Sequence, residues 1–274
     1  MPRPPRVYST PAIVLRQRKL GDADKIVTLY TANFGKVEAV AKGVRRVTSR
    51  LAGSVEPLSH GSFMFAHGRN LDIITQALPI ETFQPLRDDL GRLSRAFYAA
   101  ELIDRATEER SENFTLYRLL LDTLRRLSQV SDLDLVLRSF EMALLGELGY
   151  RPELSECVVC HDPSKEQGRY ISASAGGVVC ADCRPPEIVL HGVSPEALYA
   201  LQQLQGCTFD EVDALHLGAE TWTEVERHLR DAFHYALERD VRSASFLDIV
   251  RRRFRPGPAA APAPAGGAGS PRAP

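Results

Sequence analysis

Near residue 85 the spacing of apolar residues changes, and that change limits what the chain can fold into. Before it, short runs alternate with a period of two. In KVEAVAKG (Lys36–Gly43), Val37, Ala39 and Ala41 alternate with Glu38, Val40 and Lys42. Beyond PLRDDL (Pro85–Leu90), apolar residues recur every three or four positions, as in Leu116, Leu119, Leu120, Leu124 and Leu127. Period two places side chains on one face of a strand, and a period near 3.6 places them on one stripe of a helix. Strands followed by helices make an α+β chain.

Five period-two runs fit into the first eighty residues. They are AIVL (Ala12–Leu15), KIVTLYT (Lys25–Thr31), KVEAVAKG, SFMFAHG (Ser62–Gly68) and LDIITQA (Leu71–Ala77). Gly, Asn and Asp bound them, as expected of turns. Five short strands are best closed into a barrel, which leaves no exposed sheet edge. At this size the expected shape is an OB-fold-like β-barrel, a scaffold that commonly takes single-stranded nucleic acid or oligosaccharide.

The formal net charge of −1 hides an asymmetry. Residues 1–80 carry 12 Lys and Arg against 5 Asp and Glu, while residues 81–150 carry 9 against 13 and residues 151–255 carry 12 against 17. A basic N-terminal segment points to a polyanion, against the alternative of a merely solvated surface. Its cations concentrate in two stretches read as connections. RQRKLGDADK holds Arg16, Arg18 and Lys19, and KGVRRVTSR holds Lys42, Arg45, Arg46 and Arg50. The second has small polar residues between its cations and Gly43 for close backbone approach. Tyr30, Phe34, Phe63 and Phe65 are the aromatics available to stack on bases, if they are not barrel core.

Three helices are expected over 90–109, 113–130 and 133–150, with Asn113 as an N-cap and Gly149 ending the third. Arg125, Arg126 and Arg138 read as solvated faces, the alternative being a small site for an acidic peptide tail. Further helices are expected from Ser194–Pro195, over 221–240 on a stripe of Trp222, Val225, Leu229, Phe233 and Leu237, and over 242–254, ending in Arg251–Arg253. From Pro256 the chain is Pro, Ala and Gly, a composition that builds no core.

Two C-x-x-C pairs interrupt the helical pattern. Cys157, Cys160, Cys180 and Cys183 have the spacing C-x2-C-x19-C-x2-C, which suits a four-thiolate zinc site. A redox pair would need a βαβ setting, which is missing, and a disulfide staple is disfavoured in the cytosol. Cytosolic placement is expected because MPRPPRVYST lacks a signal-like apolar stretch and no run of about twenty apolar residues occurs. Four thiolates leave no open coordination position, so the expected Zn2+ is structural. Cys207 is left over and reads as a small apolar core residue. No P-loop, G-x-S-x-G, H-E-x-x-H or H-x-E pattern occurs, so an enzyme is not expected. A nuclease would need converging carboxylates, which pairs such as Asp22/Asp24 do not establish.

The order of parts, with GDADKIVTLYTANFG (Gly21–Gly35), AKGVRRVTSRLAGSVEPL (Ala41–Leu58), LGYRPELSECVVC (Leu148–Cys160) and GGVVCADC (Gly176–Cys183), resembles the bacterial RecO family of DNA repair and recombination mediators over about residues 8–255. The resemblance implies binding of single- and double-stranded DNA and annealing of complementary strands without ATP. It also implies a ring-forming partner, RecR, contact with single-stranded DNA-binding protein through its acidic C-terminal tail, and loading of RecA onto coated DNA. DNA contact would fall on Lys42, Arg45, Arg46 and Arg50, with Arg16, Arg18 and Lys19 behind them. The cysteines match the family's zinc positions, which some members have lost. The expected domains are a basic barrel (1–80), a helical domain in two parts (81–150 and 191–255) and a zinc module (151–190); the disordered tail (256–274), read from its composition, is not part of the family pattern. The alternative function is a zinc-ribbon nucleic-acid adaptor in transcription or RNA processing.

Overall fold

The computed structural model describes residues 6–162, 169–184, 190–206 and 217–237. The expected 242–254 helix, the tail from Pro256 and Cys207 lie outside these residues. Five strands close into a barrel: β1 (Val7–Leu20), β2 (Asp24–Thr31), β3 (Gly35–Ala41), β4 (His60–Ala66) and β5 (Asp72–Glu81). Their order around it is β1-β2-β3-β5-β4. All neighbours are antiparallel except β3 and β5, which run parallel over Ala39–Val40 and Asp72–Ile73. The interior is filled by Ala12, Val14, Val27, Leu29, Val37, Ala39, Phe63, Phe65 and Ile74.

Strand β1 is much longer than AIVL, so Arg16, Arg18 and Lys19 lie on a strand and not in a connection. Only Gly21–Ala23 form the turn to β2. Apolar alternation could not reveal this extension, because its polar residues pair across strands. Arg16 lies opposite Thr28, which lies opposite Glu38. A bulge between Val14 and Arg16 lets β1 serve both β2 and β4.

Helices follow: α1 (Gln84–Asp88), α2 (Leu90–Ala106), α3 (Phe114–Gln129), α4 (Leu133–Glu147), α5 (Pro195–Gly206) and α6 (Ala219–Leu237). Side-chain caps fix the starts of α2, α3, α4 and α5. Asn113 accepts from the Leu116 N–H at 3.1 Å, and Ser194 Oγ accepts from the Ala197 N–H at 3.2 Å. Helix α4 ends where Gly149 takes φ +82°, with the Gly149 N–H donating to Gly146 and the Tyr150 N–H to Leu145. This paired arrangement satisfies the last carbonyls and needs a left-handed residue, here glycine.

The barrel and the helices share one core. Ile13, Leu15, Tyr30 and Leu58 point outward from the barrel and pack with Leu102, Leu116, Leu120 and Phe140. Polar contacts reinforce this seam. Arg16 Nε lies 2.6 Å from Asp104, Arg110 lies 2.5 Å from Asp72, and His60 Nε2 lies 2.8 Å from the Tyr117 hydroxyl. Burial alone would raise the Asp72 carboxyl, but hydrogen bonds from Tyr8 and Arg110 outweigh it and hold it below the usual range. Gly35, at φ +61°, lets the 107–113 loop approach, since a Cβ there would overlap the Ser111 carbonyl.

Between α4 and α5, strands β6 (Tyr170–Ser172), β7 (Gly177–Val179) and β8 (His191–Gly192) form a small sheet with β6 in the centre. The hairpin leading into the second cysteine pair is β6–β7. Its residues alternate between two cores. Ile171 and Val178 join the helices, while Val179 packs with Cys157 and Cys180.

Candidate nucleic-acid interface and metal centre

The four cysteine sulfurs lie within 4.8 Å of one another. Cys160 Sγ and Cys180 Sγ are 3.9 Å apart. A tetrahedron with metal–sulfur bonds of about 2.3 Å requires sulfurs about 3.8 Å apart, whereas a disulfide requires about 2.05 Å. The donor set therefore fits one metal ion. Each pair sits on its own turn: the His161 N–H donates to the Cys157 carbonyl at 2.8 Å, and the Cys183 N–H to the Cys180 carbonyl at 3.1 Å. Burial raises the Cys157 thiol, but backbone N–H groups of Cys160, Cys180 and Val159 outweigh it and bring the thiol down to about 6. The neighbouring sulfurs of Cys180 and Cys160 push Cys183 up to about 12. The metal-free knot thus resists full ionisation, and a bound metal ion would supply the missing positive charge. Gly177 makes the close approach, because a Cβ there would overlap the Glu153 backbone. His161 is exposed and pairs with Glu156 at 2.8 Å, outside the thiolate set.

The other expected site residues meet very different surroundings. The loop after β3 carries Lys42, Arg45, Arg46 and Arg50, all exposed. The barrel holds it from below. Val44 is buried in the barrel core, Arg45 donates to the Asp22 carbonyl at 2.8 Å and the Gly21 carbonyl at 3.3 Å, and Asp24 accepts from the Gly43 N–H at 2.7 Å. Arg45 is thereby a brace. Lys42, Arg46 and Arg50 have no ion-pair partner among the described residues, and neither does Lys19. Arg16 and Arg18 differ: both reach Glu38, at 3.1 and 3.4 Å, and Arg16 also reaches Asp104.

The expected stacking aromatics are not at the surface. Tyr30, Phe63 and Phe65 are buried, and Phe34 packs edge-on against Tyr8. The expected solvated face of Arg138 is corrected as well. Arg138 is 2% exposed and lies 2.9 Å from Glu141, which accepts the Tyr98 hydroxyl at 2.7 Å. Periodicity places Arg138 on the helix α4 but cannot show that α4 is covered on that side too. Arg125 is part-exposed and grips Glu81, and Arg126 is part-exposed with a partner of its own.

A cavity of about 710 Å³ separates the cysteine module from α5 and α6, against Tyr150, Ile171, His191, His228, Asp231 and Tyr235. Its residues come from distant segments, so no local pattern in the sequence announces it. Burial first, then Arg227, push His228 down to about 4.

Among the described residues no helix is long and apolar enough to cross a membrane. Fold and site together define an OB-fold-like barrel protein with a braced cationic loop, fused to helices that carry a closed thiolate knot. Comparison with known proteins supplies the family. Residues 6–83 match the family model described as Recombination protein O N terminal, and residues 87–245 match Recombination protein O C terminal. DNA repair protein RecO of Roseiflexus sp. (strain RS-1) is 42% identical over 250 residues, covering 91% of this chain and 88% of the relative. DNA repair protein RecO of Pelotomaculum thermopropionicum is 36% identical over 254 residues, covering 93% and 97%. That of Dehalococcoides mccartyi (strain BAV1) is 35% identical over 247 residues, covering 90% and 97%. The chain belongs to the RecO family of DNA repair proteins.

Proposed function

We propose that this protein binds single- and double-stranded DNA, anneals complementary strands without ATP, and helps load RecA onto DNA coated by single-stranded DNA-binding protein. The observation that carries this reading is the braced loop, whose Lys42, Arg46 and Arg50 project from a rigid base with no acid among the described residues to neutralise them. Lys19 adds to them, while Lys25, opposite it in register, is already paired with Glu56 at 3.3 Å. Arg45 holds the loop. Arg16 and Arg18 contribute only by exchanging Glu38 for phosphate. Annealing is opposed by repulsion between two polyanions. A cationic surface holding both strands lowers that repulsion with release of counterions. Base pairing then supplies the free energy, so no turnover chemistry is required.

RecR and single-stranded DNA-binding protein are the proposed partners, the latter through its acidic C-terminal tail. Of the arginines considered for that tail, Arg125 and Arg126 are part-exposed; Arg125 would have to release Glu81. Zn2+ is the proposed metal at Cys157, Cys160, Cys180 and Cys183. It supplies a structural cross-link, and the four thiolates give it no open position for chemistry.

The test is annealing of complementary oligonucleotides precoated with single-stranded DNA-binding protein, without nucleotide. The reading expects annealing by the wild type. It expects loss of annealing in a Lys42→Ala, Arg46→Ala, Arg50→Ala variant and with a coat protein lacking its acidic tail. A wild type that binds DNA but leaves coated strands apart would overturn it in favour of a zinc-ribbon adaptor.

A further inference from the structure

Annealing requires bases to be displayed, and displaying them calls for an apolar contact at the place where the phosphates are held. The barrel offers no exposed Phe, Tyr or Trp ring for this. Tyr30, Phe63, Phe65 and Phe83 are buried, and Tyr8 and Phe34 are half-buried against each other.

The braced loop carries an apolar group of a different kind. Val47 is 104% exposed. It sits at the tip of a hydrogen-bonded turn in which the Ser49 N–H donates to the Arg46 carbonyl at 3.0 Å. A preceding turn closes from the Arg46 N–H to the Gly43 carbonyl at 3.1 Å. Both ends of this double turn are tied to the barrel interior, by Val44 on one side and Leu51 on the other. The tip is therefore fixed, and its β-branched side chain has a single stiff rotor. Leu20, 39% exposed, precedes the Gly21 carbonyl that Arg45 holds, so a second apolar side chain lies on the strand that braces the loop. Lys19 precedes Leu20 on β1, and Lys42, Arg46 and Arg50 share the loop of Val47.

We propose that Val47, supported by Leu20, is an aliphatic wedge that packs against the bases of a single strand whose phosphates lie on Lys42, Arg46 and Arg50. The proposal rests on the single-strand-binding reading above. The cations explain attraction to any polyanion. The wedge explains how bases are parted from one another while the strand is held. Apolar contact with a base face does not depend on which base it is, so the wedge keeps binding tolerant of sequence.

The experiment titrates a single-stranded oligonucleotide containing 2-aminopurine, whose fluorescence rises on unstacking, at several salt concentrations. Wild type, Val47→Ser, Val47→Phe and Lys42→Ala are compared. Val47 buries nothing in the fold, so unchanged thermal midpoints are expected for its variants. Val47→Ser is expected to weaken binding about 3- to 10-fold at every salt concentration, with an unchanged salt slope, from loss of one buried aliphatic contact. It is also expected to remove most of the fluorescence rise. Val47→Phe is expected to keep or increase the rise. Lys42→Ala is expected to reduce the salt slope by about one instead. Wild-type affinity and fluorescence in Val47→Ser would overturn the wedge and leave the functional reading standing. A changed salt slope in Val47→Ser would also overturn it, because the effect would then be electrostatic. Failure of the wild type itself to bind would overturn the functional reading, and the wedge with it.

Discussion

Arg125 on α3 grips Glu81, the last residue of β5, with its Nε 3.1 Å from each carboxylate oxygen. Across sequence this joins residues 44 apart; in space it ties the end of the barrel to the helical core. The hydrogen bonds from Arg125 hold the Glu81 carboxyl below its ordinary range. A carboxyl depressed in the folded state stabilises above its unfolded value and loses that contribution as pH falls through the folded one. Both groups are partly exposed, so the pair contributes about 0.5–1 kcal/mol. Arg125→Ala is expected to lower the thermal midpoint slightly and to blunt the effect of Glu81→Ala in a double-mutant cycle. A cycle with no coupling would show that the fork is idle.

Arg138 and Glu141 form a buried pair closed by the Tyr98 hydroxyl. Removing one partner leaves a buried charge. Arg138→Ala is therefore expected to cost about 3–5 kcal/mol, measured by urea unfolding. Replacing both by apolar residues, as in Arg138→Met with Glu141→Leu, is expected to recover most of that loss. If Arg138→Ala unfolds like the wild type and only binds a tail peptide less well, its role is at the surface after all.

The thiolate knot is expected to hold one metal ion per chain, read by metal analysis of the purified protein. Cys157→Ser or a strong chelator is expected to open residues 151–193 to limited proteolysis, because the module has little apolar core besides Val179 and its cysteines. The barrel should resist under the same conditions. Equal protection with and without metal would remove the structural role of the ion.

His228 is held neutral in the folded chain, at about 4 against an ordinary 6.5. Glu224 and Asp231 favour its charged form, and Arg227, His191 and burial oppose it. Between those two pH values the unfolded chain takes up a proton that the folded chain refuses. Stability is thus expected to fall as pH drops from about 6.5 and to level off below about 4, by up to about 3 kcal/mol. His228→Gln should flatten this part of the pH–stability curve. A slope that persists unchanged in the variant would assign the titration elsewhere.

Local features were readable along the chain. The α3 start at Asn113 follows from one side-chain oxygen and an N–H three residues on, and the α4 stop from one glycine. The Cys157–Cys183 spacing already implied that two turns would face each other, because each turn is built from four consecutive residues. The first strand was read too short for the opposite reason. Arg16 and Arg18 look like connection residues until Glu38, on another strand, is placed beside them.

What the sequence determined by itself is the order of strands, helices and thiolates, together with the excess of cations in the first eighty residues. Those depend on the period of side chains along one backbone and on short-range hydrogen bonds. Which cations are available was decided only by the tertiary structure. Arg16, Arg125 and Arg138 are each occupied by a carboxylate brought from elsewhere in the fold or covered by packing, while Lys42, Arg46 and Arg50 stand clear on a loop the barrel holds. A charge belongs to its residue, but the desolvation and pairing that set its use belong to whatever the fold puts beside it.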